Sequence, residues 1–224
     1  MSTDTQPRRK WHFTRWLIVA IIATLGWSGW RAYAFRSALS QAKALGWTVF
    51  YTDPVKAIRN NWKAAFEKEM WLAGVTLVLI PTSEAFEQNL AILHQLNPKG
   101  MIINNAATLR DLSALKPRNR LQALSLYGCT GLTNVDALEN LSALQGVQLA
   151  GCTGLTNVNA FKRLSALQMV ELFGCTALTN LDGLKNLSAL QEVRLEGCTA
   201  LTEESVAALK AALPNAHVRA RNYQ

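Results

Sequence analysis

Histidine is nearly absent from this 224-residue chain: His12, His94 and His217 lie far apart, with no recurring carboxylate partner, so a hydrolase or metal centre has little to be built from. No Cys-x-x-Cys motif occurs, which removes the usual basis for thiol exchange. No phosphate-loop glycine spacing occurs either. Six prolines and four cysteines in a chain that is half apolar exclude wholesale disorder, a collagenous repeat and a disulfide-dense scaffold. What remains is a mostly globular chain with room for one sizeable domain and a tether.

Charge of one sign is also missing where a nucleic-acid reader would need it. Of the net charge of +8, residues 1–40 carry +5, residues 41–120 carry +4 and residues 121–224 carry −1. A basic stripe should lie on the folded recognition surface, whereas here the densest excess surrounds an apolar segment. No nucleic-acid partner is expected.

That segment, Trp16 to Trp30, has no charged residue and is flanked by Arg8, Arg9, Lys10 and Arg15 on one side and Arg31 on the other. Its length as a helix, about 22 Å, falls short of the ~30 Å hydrocarbon core. Trp11, Trp16, Trp27 and Trp30 at the interfaces and snorkelling Arg15 and Arg31 make up the difference. The expectation is a basic cytoplasmic tail (1–15), a transmembrane helix or signal anchor in the lipid bilayer (16–34), and a periplasmic or extracytoplasmic remainder. The same residues also read as a cleaved secretory signal with Ala32-Tyr33-Ala34 as its small-residue site, although Arg31, Trp27 and Trp30 oppose cleavage.

The C-terminal half is a repeat of period 23. Residues 121–143 read LQALSLYGCTGLTNVDALENLSA, and units starting at Leu144, Leu167 and Leu190 follow the same frame. Leu213 opens a truncated last unit. Alternation at Leu124 and Leu126 gives a short strand with one inward face, while Val135, Leu138 and Leu141 recur as a helical or 3-10 return segment requires. No such unit buries its own leucines, so neighbours must stack, about 4.8 Å per strand.

The pattern Leu-x-x-Leu/Val-x-Leu-x-Gly-Cys-Thr-x-Leu resembles the leucine-rich-repeat family, in the variety that carries cysteine where others carry asparagine. The resemblance implies an α/β solenoid: a short curved parallel sheet with helical or 3-10 returns, here preceded by a transmembrane helix in a membrane-anchored protein of bacterial type. Met101-Ile102-Ile103, 23 residues before Leu124, and Leu77-Val78-Leu79, 24 before Met101, read as earlier strands, and Trp47 to Tyr51 as one earlier still. Three extra residues near Lys116 to Arg120 are expected to lengthen one turn. Residues 35–120 are then a juxtamembrane helix and a cap of degenerate repeats, and residues 121–224 the repeats proper with a C-terminal cap. A separate small α/β domain is the rival reading of the cap.

Cys129, Cys152, Cys175 and Cys198 share one repeat position, so they should point the same way in file rather than converge on a metal. A buried thiol row, bonded to loop carbonyls, is expected. Disulfides between adjacent rungs would meet parallel Cβ vectors. Gly128, Gly151, Gly174 and Gly197 mark a sharp turn, the recurring threonines supply loop hydroxyls, and Gln122, Gln145, Gln168 and Gln191 stack ahead of the strands.

The varying positions are the outward ones: Ala123, Ser125 and Tyr127; Gly146, Gln148 and Ala150; Met169, Glu171 and Phe173; Glu192, Arg194 and Glu196. These form the expected concave face, and Tyr127, Gln148, Met169, Glu171, Phe173, Glu192, Arg194 and Glu196 are the residues expected to contact a partner. The predicted function is non-enzymatic: a membrane-anchored protein that binds another protein through that face, with no cofactor, metal or small-molecule substrate. A periplasmic thiol/disulfide-exchange protein using the cysteine row, and a purely structural envelope tether, are the alternatives.

Overall fold

A computed structural model describes residues 30, 33–50, 77–80, 86, 88–104, 107–110, 112–115 and 120–220. The expected membrane span, apart from Trp30, Tyr33 and Ala34, lies outside them. Among the described residues no helix is long and apolar enough to cross a membrane.

Helix α1 (33–44) turns Phe35, Ala38, Leu39 and Ala42 to one side, a spacing of three and four that makes one apolar stripe. It stops at Gly46, whose φ of 74° lets the Trp47 N–H reach back to the Ala42 carbonyl (2.9 Å) and the Gly46 N–H to that of Lys43 (3.0 Å). Trp47 is thereby driven into the core at 3% exposure.

Eight strands follow in one sheet, ordered as in the sequence: β1 (Thr48–Phe50), β2 (Leu77–Ile80), β3 (Gly100–Asn104), β4 (Ala123–Tyr127), β5 (Gly146–Gln148), β6 (Met169–Glu171), β7 (Glu192–Arg194) and β8 (His217–Arg219). From β2 to β8 every pair is parallel. Leu77, Gly100, Ala123, Gly146, Met169 and Glu192 stand in one row, each 23 residues after the last. The final step, Glu192 to His217, is 25.

Inward positions repeat with the same period. Leu126, Leu149, Leu172 and Leu195 form one buried row, Leu132, Leu155, Leu178 and Leu201 another, and Leu138, Phe161 and Leu184 a third beneath the returns. Each return is a short 3-10 turn: Ser113–Leu115, Asp136–Asn140, Asn159–Arg163 and Asp182–Leu184. Ahead of the last three, the side chains of Asn134, Asn157 and Asn180 accept from the N–H two residues on, at 3.3, 3.2 and 2.7 Å. Glu139 and Arg163 pair across two returns at 2.9 Å. The returns at either end depart from this pattern. Helix α2 (Leu90–Leu96) lies between β2 and β3. Helix α3 (Glu203–Ala212) precedes β8, and its N-cap Thr202 accepts from the Ser205 N–H, with Glu203 and Glu204 complementing the helix dipole. This full helix accounts for the longer last step.

Three expectations at the N-terminal end need correction. β1 runs antiparallel to β2, Thr48 opposite Leu79, so it closes the sheet and is not a rung. Parallel neighbours need a return over one face, and a residue pattern this short does not encode direction. Val78, not Leu77, pairs with Met101, which makes the offset 23 rather than 24. In the run Leu77-Val78-Leu79-Ile80 both faces are apolar, so a slip of one residue leaves no trace in the pattern. Finally, Met101 pairs with Leu124, so the connection between them carries no net insertion. Arg118 occupies the place that Leu141 holds one repeat later, and the missing leucine mimics extra length.

Gly183 shows how tightly rungs approach: a Cβ there would drive into the Val158 carbonyl, whose carbon would be 2.7 Å away. Gly183→Ala is therefore expected to lose about 1–3 kcal/mol through overpacking, and Leu149→Ala about 2–5 kcal/mol through a buried cavity. Urea unfolding curves of the two variants against the parent check both; a loss under about 0.5 kcal/mol at either position would contradict this packing.

Candidate functional site

Three rows of side chains project from the sheet on the face opposite the leucines. The first contains Ala123, Gly146, Met169, Glu192 and His217; the second Ile102, Ser125, Gln148, Glu171, Arg194 and Arg219. The third, in the same 23-residue frame, contains Tyr127, Ala150, Phe173 and Glu196.

The face is not evenly open. Ala123 (0%), Ser125 (3%) and Ile102 (8%) are buried, although they alternate with the inward leucines. Met169 is 7% exposed: its side chain packs with Ala123 and its terminal methyl lies 3.7 Å from where a Cβ on Gly146 would stand. The missing side chain at Gly146 makes room for Met169 to lie flat. It fills a hole more than it offers surface.

The second row is a connected polar chain. Ser125 Oγ donates to Gln148 Oε1 at 2.6 Å, and Gln148 Nε2 donates to Glu171 Oε2 at 2.8 Å. The other oxygen of Glu171 faces Arg194 Nη1 at 3.6 Å. Arg194 Nε donates to Glu192 Oε1 at 3.0 Å, and Arg219 Nη2 stands 3.6 Å from the same oxygen. Burial works against the Arg194 cation, yet the hydrogen bond to Glu192 and the charges of Glu171, Glu192 and Glu196 outweigh it and raise its pKa. A half-exposed ion pair alone stabilises by little, about 0–1 kcal/mol. Joined over five rungs, the groups fix each other's rotamers.

Among the expected contact residues, the structure thus links Gln148, Glu171, Glu192 and Arg194 and leaves Tyr127 and Phe173 standing clear, each 51% exposed. Ala150 lies between those two rings and is buried at 2%. Glu196 differs from the other acids: its Oε2 is buried with no hydrogen-bond partner among the described residues. Such an orphan acceptor costs about 1–3 kcal/mol. Sequence reading missed Arg219 and the role of Ser125. The frame alone misplaces Arg219: a step of 23 would set His217 beside Arg194, and the 25-residue last step sets Arg219 there instead.

On the turn beyond the strands the cysteines run in file, as thiols, fully buried. Three of the Sγ atoms donate to the carbonyl of a leucine on the preceding rung: Cys152 to Leu126 (3.2 Å), Cys175 to Leu149 (3.1 Å) and Cys198 to Leu172 (3.0 Å). The adjacent glycines have φ between 70° and 76°, the left-handed turn only glycine takes without strain. The hydrogen bond to the Cys129 thiol, followed by burial, raises the Cys152 pKa far above the ordinary thiol value. Burial pushes Cys175 up to about 12 and Cys198 up to about 11. These are weak acids, poor sources of the thiolate that exchange needs. Among the described residues no cluster of three or more His, Cys, Asp and Glu is arranged to hold a metal ion.

No family model matches this sequence, and no curated protein matches it. Solved structures similar to it include an internalin from Listeria monocytogenes (15% identity over 60% of this chain and 52% of that one, TM-score 0.31). A leucine-rich-repeat protein from Leptospira interrogans is 17% identical over 58% of this chain and 39% of its own (TM-score 0.35). The internalin C2 of Listeria monocytogenes is 19% identical over 66% and 81% (TM-score 0.33). The chain spans about half the length of the first and less of the second. Superpositions this loose add no argument, and the architecture rests on the register of the chain's own strands: a repeat solenoid with one parallel strand and one return per rung.

The thiol geometry makes a pH prediction. A thiol protonated in the folded chain but ionised in the unfolded one favours folding below its unfolded pKa, about 8.5. That contribution fades as pH rises toward the folded values of about 11 and 12. The parent should therefore lose stability above pH 9 more steeply than Cys175→Ala, as read from urea midpoints across pH 7–10. Parallel curves would remove the burial argument. Iodoacetamide at pH 8 should label all four cysteines in urea and none in the native chain.

Proposed function

We propose that this chain is a leucine-rich-repeat protein that binds another protein through the outer face of its sheet. Leucine-rich repeats serve many purposes, so the site and not the fold must carry the reading. One observation carries it: Tyr127 and Phe173 each keep half their surface in water, in one row, on a face whose other apolar groups are tucked away. Aromatic side chains on a rigid frame supply contact area at small entropic cost, and such rings dominate protein interfaces. The polar chain from Ser125 to Arg219 gives that area a fixed rim.

We propose further that residues 16–34 hold the chain in a membrane with the repeats outside the cytoplasm. The support is the uncharged, tryptophan-bounded segment with basic residues on its N-terminal side.

Photocrosslinking residues placed at 127 and 173 in the producing cells should each yield a discrete adduct, while the same residue at 186, on the return side, should not. Adducts equal in pattern from all three positions would reject the surface. Tyr127→Ala combined with Phe173→Ala should remove the adduct formed from a probe at 148, with an unchanged urea midpoint. For the anchor, N-terminal sequencing of the membrane fraction should give a start at Met1 or Ser2. A start at Phe35 would instead establish cleavage after Ala34.

A further inference from the structure

Each strand from β2 to β7 has a neighbour on both sides, whereas β8 has one on a single side. Its ladder to β7 uses the His217 N–H, which donates to the Gln191 carbonyl at 2.7 Å, and the Arg219 carbonyl, which accepts from the Leu195 N–H at 2.7 Å. Successive residues of a strand turn their backbone groups to opposite sides, so the N–H and carbonyl of Val218 face away from β7. No turn or loop among the described residues bonds to them. The core is open at the same place. Val218 stands in register with the fully buried Val193, yet is itself only partly covered, as are Ala216 and Ala220 beside it. Charge is uneven there too. Arg194 has a hydrogen bond to Glu192 at 3.0 Å and a second acid in Glu171, while Arg219 has one ion pair, at 3.6 Å, to that same Glu192 oxygen, and is half exposed.

We infer that this edge is a second protein-docking site, which takes an extended segment of a partner protein as an added strand, with an apolar residue over Val218 and an acidic residue beside Arg219. The site is separate from the ring row and goes beyond the reading given to it. Backbone groups already held in strand geometry give an incoming chain its hydrogen bonds, and side-chain pockets on the two faces select its sequence. The residue opposite Val218 points, as Val218 does, toward the leucine rows and closes the open end of the core. The residues before and after it point to the outer face, beside His217 and Arg219. An acid there supplies Arg219 with the close carboxylate that Glu192 already gives to Arg194. A second copy of β8 fits worse: pairing antiparallel about Val218, it would set each His217 against the other copy's Arg219 and bring neither arginine a carboxylate.

The test uses the full chain, nitrogen-labelled, in detergent micelles, and reads hydrogen exchange at the Val218 amide, which donates to the added strand whichever way that strand runs. The His217 amide, bonded to Gln191, is the protected reference. The probes are the acetylated, amidated pentapeptides Thr-Glu-Val-Glu-Thr and Thr-Lys-Val-Lys-Thr. The glutamate peptide should slow exchange at Val218 saturably, with a dissociation constant on the order of millimolar, and the lysine peptide should not. Arg219→Gln should weaken the glutamate peptide about three-fold or more at an unchanged urea midpoint. No slowing by the glutamate peptide, equal slowing by both, or a response indifferent to Arg219→Gln would overturn the inference. So would a Val218 amide as slow as that of His217 before any peptide is added. Slowing that grows with protein concentration alone would assign the edge to a second copy, which equally overturns it. Each of these results leaves the adducts from 127 and 173 as the separate measure of the ring row.

Discussion

A leucine can be kept from water only by something lying on every side of it, and a rung of 23 residues covers two sides at most. That constraint sets the rest. The rungs must repeat at equal length for the leucines of one to meet those of the next, and from β2 to β7 they do so without an exception. Equal length in turn requires the turns to repeat. The left-handed glycines, the thiols donating to leucine carbonyls one rung back and the asparagine side chains opening the returns are devices for holding one turn shape through successive rungs. The cysteine suits its place because it is small, apolar and still able to satisfy a buried carbonyl.

The same constraint makes the ends the difficult part, since a terminal rung has a neighbour on one side only. At the N-terminal end the chain reverses direction: β1 pairs antiparallel, and α1 lays Ala38 and Ala42 against the core that the first rung would otherwise expose. At the other end α3 replaces the thin 3-10 return with a full helix that buries Val206 and Leu209. β8 then follows 25 residues after β7, its Val218 only partly covered. Each end departs from the period where it must.

This division explains what could be read from the residues alone. The period located β3 to β7, the thiol row and the outward positions, and missed β8 by two residues, because a repeated pattern constrains register far more tightly than any local propensity but only as far as it repeats. It failed where the pattern is absent. Leu77 to Ile80 is apolar on both faces and hides its register by one residue, and Trp47 to Phe50 says nothing of strand direction. Arg118 in place of a leucine looked like an insertion. On the outer face the sequence named the positions but not their state: Met169 lies down in the space left by Gly146, and Ser125 is buried at 3%. The first outcome depends on the neighbour one rung away, Gly146, lacking a side chain.

Because the frame and the outer face use alternate residues of the same strands, each can change without the other. Substituting an outward residue leaves the leucine rows, the thiols and the glycine turns in place. The outer face is then free to hold groups that folding does not favour, and Glu196 is the clearest of them: a buried carboxylate oxygen with no donor among the described residues contributes nothing to the stack and costs it something. Two half-exposed rings do not help the stack either. Their clustering on one row of one face, beside a polar chain whose members otherwise satisfy one another, is what the proposed reading of this face as a recognition surface accounts for.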